Sequence, residues 1–65
     1  MDADEQAYLR DLAMNVLANT DETKLAAAYA EAKAKLDSDE QVAFWSLFDS
    51  KQRAAIKRGS VKEAA

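Results

Sequence analysis

Chemistry in this chain has few side chains to work with. It contains no His and no Cys, so an imidazole base, a thiolate nucleophile and the commonest nitrogen and sulfur metal ligands are all missing. Carboxylates remain. Asp37, Asp39 and Glu40 stand close together, and such a cluster could bind Mg2+ or share a proton for acid–base work. The simpler reading is a helix start, because acids in a first turn favour the positive end of the helix dipole. Gly occurs once, so no Gly-rich loop can cradle a phosphate. A fold this small also offers little depth in which to desolvate a substrate. We therefore expect no catalytic, cofactor-binding or metal-ligating residues and no small-molecule substrate. The chain does not read as an enzyme.

Charge offers a second kind of chemistry. The formal charge of −3 hides an asymmetry: residues 1–50 hold 11 acids and 4 bases, whereas residues 51–65 hold 5 bases and 1 acid. Lys51, Arg53, Lys57 and Arg58 could contact phosphates if their helix acted like the recognition helix of a helix-turn-helix protein. A solvated or structural role is favoured instead. Cations suit a helix C-terminus, and net acidity opposes general affinity for nucleic acid, which phosphate neutralisation largely supplies. The acids do not form uninterrupted rows that would mimic DNA either, since Arg10, Lys24, Lys33 and Lys35 lie among them.

The densest apolar stretch is VAFWSLF, Val42 to Phe48, which holds both phenylalanines and the single tryptophan. Wound as a helix, it places Phe44, Leu47 and Phe48 toward one side and Val42 and Trp45 toward another. A helix apolar on more than one side must be covered on more than one side. We assign Phe44, Leu47 and Phe48 to the chain's own core. Val42 and Trp45 are assigned to a protein interface, since Trp is a preferred interface anchor. Tyr8 and Met14 are further interface candidates: Tyr combines an apolar ring with a wet hydroxyl, and Met adapts to irregular contacts.

The elements that must position these residues are helices. Pro is absent and the single Gly is Gly59, leaving no punctuation for hairpins. A first helix is expected over about Asp4 to Ala18, with Leu9, Leu12, Ala13, Val16 and Leu17 on one stripe. Asn19 with Glu22, or Thr20 alone, would cap a second helix over about Asp21 to Leu36. The stripe of that second helix (Leu25, Ala28, Tyr29, Ala32, Leu36) is thin and rich in Ala. Ser38 with Gln41 reads as the capping box of a third helix. Asp49 and Ser50 suggest a break before a fourth, which would run to Arg58 and end on Gly59 as its C-terminal cap.

A chain of 65 residues makes one domain, here residues 1–59 followed by a frayed tail over 60–65. So small a core is marginal alone, and without disulfides or soft metal sites the remaining support is oligomerisation or a partner. The acidic N-terminus has no apolar core of a signal peptide. No apolar stretch approaches the ~20 residues of a membrane span, so we expect no membrane association and a cytoplasmic location.

The segment DSDEQVAFWSLFDSKQRAAIKR, Asp37 to Arg58, resembles short helical accessory modules of bacteriophages and prophages. The acidic helix start, the W-S-L pattern and the D-S-K-x-R-x-x-I-K ending carry the likeness. The resemblance implies an accessory or regulatory protein that binds a larger host or phage protein in the host cytoplasm, and it carries over no catalytic residue. The combined expectation is an all-α chain of three or four short helices, a helical hairpin or small bundle completed by homodimerisation. It would act as a non-enzymatic protein-binding regulator or inhibitor. The alternative is a small DNA-binding protein that uses the basic C-terminal helix.

Overall fold

The computed structural model describes the chain from residue 2 to residue 64. Four helices follow one another: α1 (Ala3–Leu17), α2 (Glu22–Lys33), α3 (Ser38–Ser46) and α4 (Ser50–Ala64). No strand occurs among the described residues, as the lack of turn punctuation requires. The break between α3 and α4 lies where Asp49 and Ser50 place it.

Each helix begins on an aspartate. A carboxylate there accepts the N–H groups that have no partner within the first turn. Asp2 Oδ1 accepts from the Glu5 N–H at 2.8 Å, and Asp21 Oδ1 accepts from Thr23 and Lys24 at 2.8 and 3.2 Å. Asp37 and Glu40 exchange bonds at 2.9 and 3.1 Å, a reciprocal capping box. Asp49 and Gln52 do the same at 2.8 and 2.9 Å. Two expected caps are thereby corrected. Asp21, nearer the helix than Asn19 or Thr20, starts α2, and the box of α3 lies one residue upstream of Ser38 and Gln41.

The displaced residues serve the opposite ends of helices. Asn19 donates its amide to the Asn15 and Val16 carbonyls at the end of α1. Gln41 Nε2 donates to the carbonyls of Lys33 and Leu36, both at 3.1 Å. These bonds lie where α2 stops, at Lys33 and not at Leu36. The tighter turn Ala34 to Leu36, held by Lys35 N–H to Ala32 O and Leu36 N–H to Lys33 O, tucks Leu36 into the core. Gln41 then satisfies the freed carbonyls.

Packing is closest between α2 and α4. The fourth helix runs back along the second, so that its last turns lie beside the first turn of α2. Gly59 marks the crossing and is buried. A β-carbon placed there would collide with the Glu22 carbonyl oxygen and stand 2.9 Å from the Ala26 Cβ. The expected role of Gly59 as a C-terminal cap is therefore corrected. Its φ is not positive, and α4 continues through it to Ala64. This glycine serves close approach and not chain reversal. It costs about 1 kcal/mol of helix propensity against Ala, which backbone-to-backbone packing must offset. Residues 60–64, expected to fray, belong to the same helix, and residue 65 lies outside the described residues.

The core is filled by large side chains from the other elements. Phe44 of α3 and Phe48, in the turn that follows it, are 0% and 2% exposed; Leu9 and Val16 of α1, Leu25 of α2, Ile56 of α4 and Leu36 pack with them. Leu47 does not join them, contrary to the expected face. At 100° per residue it stands about 60° from Phe44 on the side away from Phe48, and it is 42% exposed. The short α3 ends just before it.

Candidate protein-binding site

Beside the core lies an open groove of about 830 Å3 bordered by α2, α3 and α4. Tyr29 and Lys33 enter from α2; Ser38, Gln41, Val42, Trp45 and Ser46 from α3; Ile56, Lys57, Ser60 and Val61 from α4. Its position follows from the fold. Phe44 and Phe48 turn inward, so the α3 positions between and before them, Trp45 and Val42, turn toward the space that α4 leaves open.

Trp45 forms the floor. Its ring meets Tyr29 edge-on at 5.3 Å and lies 6.4 Å from Phe48. Tyr29 in turn stacks on Phe44 at 5.4 Å and meets Phe48 edge-on at 5.6 Å. These separations are favourable for aromatic pairs. Trp45 is thus half-buried and continuous with the core, not a free surface anchor as its spacing alone suggested. Two cations rest on it, with the Arg53 guanidinium carbon 5.7 Å and the Lys57 ammonium 5.9 Å from the ring centroid, within the range of cation–π attraction. Arg53 Nε also donates to the Trp45 carbonyl at 3.2 Å, closing the end of α3. Burial raises the pKa of the Tyr29 hydroxyl.

The walls are more exposed. Val42 and Val61 are 70% and 69% exposed, two β-branched apolar side chains facing solvent across the groove. Tyr8 and Met14, the other interface candidates, are also exposed at 47% and 70%. They belong to α1 and do not line the groove, so the four candidates do not share one surface. A second, smaller depression of about 250 Å3 between α1 and α3 holds Leu9, Ala43 and Leu47 with Gln6, Arg10 and Ser46.

Four of the five basic residues of α4 divide between two tasks. Arg53 and Lys57 lie against Trp45. Arg58 and Lys62 grip Glu22, with Nη2 to Oε2 at 2.8 Å and Nζ to Oε1 at 2.9 Å. Those hydrogen bonds, from Arg58 first and Lys62 second, lower the Glu22 pKa to about 2 and raise that of Arg58. Of the four candidate nucleic-acid contacts, Lys51, Arg53, Lys57 and Arg58, the last three therefore engage other parts of the chain. Asp37 and Glu40 are committed to the α3 cap. Among the described residues no group of three or more acids is placed to hold a metal ion, and no helix is long and apolar enough to cross a membrane.

Sequence reasoning missed the contribution of α4 to this site. Ile56 and Val61 lay in a segment read as a short helix and a frayed tail. The available signal was the absence of any helix breaker other than Gly59 after Ser50, together with the helical spacing of Lys57 and Val61. The chain matches no protein-family model, no curated protein and no solved structure.

Proposed function

We propose that this protein is a small binding module without catalysis of its own, and that it docks an apolar segment of another protein in the groove beside Trp45. The observation that carries this reading is the two-sided use of α3. Phe44 and Phe48 are consumed by the core, yet Val42, Trp45 and Tyr29 continue apolar surface outward into a groove that Ile56 and Val61 complete. Rigid aromatic surface backed by a packed core and walled by exposed aliphatics is the anatomy of an interface anchor. In the setting that the phage-like segment implies, the partner would be a larger host or phage protein whose activity this module modulates.

Self-association is the competing occupancy of the same groove. A small core gains most from covering such a face, and a second copy of the chain would supply the cover.

A photo-crosslinking amino acid tests the reading. Placed at Val42 in the otherwise native chain, it should form a discrete adduct with a protein; placed at the exposed Lys24 of α2, it should not. Equal labelling from both positions, or no protein adduct from Val42, would count against a docking groove there.

A further inference from the structure

The groove differs in charge from the rest of the molecule. The chain carries 12 acids and 9 bases, yet the described side chains lining the groove include Lys33 and Lys57 and no carboxylate. Neither lysine takes part in an ion pair; both ion pairs of the structure, among the described residues, converge on Glu22. Lys57 is held over Trp45 on one wall, and Lys33 stands at the end of α2 on another. Apolar surface with cations at its borders selects both hydrophobicity and charge sign in whatever enters it.

Resting on the proposed binding role, we infer that the occupant is an acidic amphipathic helix of another protein, its apolar residues over Trp45, Val42 and Val61 and its carboxylates against Lys33 and Lys57. The groove is bordered by helices and presents no strand edge, so a helix laid in a groove is the fitting mode of peptide recognition. A second copy fits less well. Two grooves facing across a two-fold axis would bring Lys33 and Lys57 of both chains into one apolar contact with no carboxylate among the described lining residues to offset them, and like charges brought together at an interface are costly. The acidic outer side of α1, with Tyr8 and Met14, could enter the groove of a neighbouring copy only in a head-to-tail contact. Contacts of that kind propagate or close into rings. The apolar and aromatic lining likewise favours a protein helix over a phosphate backbone.

The single tryptophan reports directly on this groove. Three synthetic helical peptides of about 20 residues share one apolar stripe and differ only in flanking charge, with Glu, Gln or Lys beside the stripe. Titrated against the native chain, the Glu peptide should shift Trp45 emission and bind at least about tenfold more tightly than the Lys peptide, with the gap narrowing as salt rises. Lys33→Gln should reduce the gap, and Lys33→Glu with Lys57→Glu should reverse the order, each variant being checked for native helicity. Equal binding of all three peptides would overturn the acidic partner while leaving a docking groove in place. So would no response to any of them alongside a specific Val42 adduct. A mass that grows with concentration in light scattering and falls to the monomer on Val42→Glu would assign the groove to a second copy. Stronger quenching of Trp45 by a single-stranded oligonucleotide than by any peptide would overturn both the acidic helix and the protein-binding role.

Discussion

Two faces of α4 pack by opposite means. Near Glu22 and Gly59, small residues bring two backbones together, and side chains of Arg58 and Lys62 clasp the junction from outside. Near Trp45, large rings fill the space, and a groove remains open beside them. Closeness without bulk leaves nothing over for a partner. Bulk on a short helix leaves surplus surface, because Phe44 and Phe48 satisfy the core before Val42 and Trp45 are covered. The comparison separates a seam that serves the fold from a face available for binding.

The largest effect should come from the boundary between these regions. Phe44→Ala removes a fully buried ring that stacks on Tyr29, and should cost about 3–5 kcal/mol. That is a large share of the roughly 5–15 kcal/mol a domain possesses. Urea titration followed by circular dichroism measures it, and a loss below about 1 kcal/mol would mean that the aromatic core is not what holds α3.

The seam is probed by Gly59→Ala. If only helix propensity mattered, this change would stabilise α4 by about 1 kcal/mol. The contact with the Glu22 carbonyl predicts the reverse, a loss of about 1–3 kcal/mol as two helices are forced apart. The sign of the change in melting temperature decides between them.

Smaller effects should appear in the pH dependence, where two carboxylates behave oppositely. Glu22 is held at about 2 by Arg58 and Lys62, against an ordinary 4.5. Its contribution is fully present above 4.5 and is lost as pH falls through about 2. Glu22→Gln should flatten that acid limb of the stability profile. Glu5 is raised instead, first by its hydrogen bond to the Glu40 carboxyl and then by burial and the nearby negative charges of Glu40 and Asp2. A raised group contributes below 4.5 and loses that contribution as pH climbs through its higher folded value. Glu5→Gln should remove the slight gain in stability on acidification toward 4.5. An unchanged profile on Glu22→Gln would detach that carboxylate from Arg58 and Lys62, and an unchanged profile on Glu5→Gln would detach Glu5 from Glu40.

These contrasts also explain what could be read from sequence. The helices and the α3–α4 break were legible because apolar spacing and the capping residues Asp49 and Ser50 are local signals. The burial of Phe44 and Phe48 was legible from their shared helical side and from the thin Ala stripe of α2, although the same spacing placed the exposed Leu47 with them. Gly59 was misread because a glycine near a helix end serves equally as a cap or as a point of close approach. Only the position of α2, a long-range fact, separates the two. Trp45 was half-read for the same reason. Its helical side was evident, but its packing on Tyr29 and under Arg53 and Lys57 depends on where α2 and α4 come to rest. Val61 was lost with the tail, which packs beside α2 through the contacts of Arg58 and Lys62 with Glu22, 36 and 40 residues away.

The division of labour on α3 is the central claim, and Val61→Glu tests it most directly. This residue is exposed, lies on α4 and faces the groove without entering the core. A chain with the crosslinking residue at Val42 would be compared with and without Val61→Glu, for thermal unfolding and for adduct yield. The account predicts unfolding stability unchanged within about 0.5 kcal/mol and adduct yield reduced at least about tenfold. Undiminished adduct formation, or a chain that unfolds on acquiring Glu at this position, would contradict it.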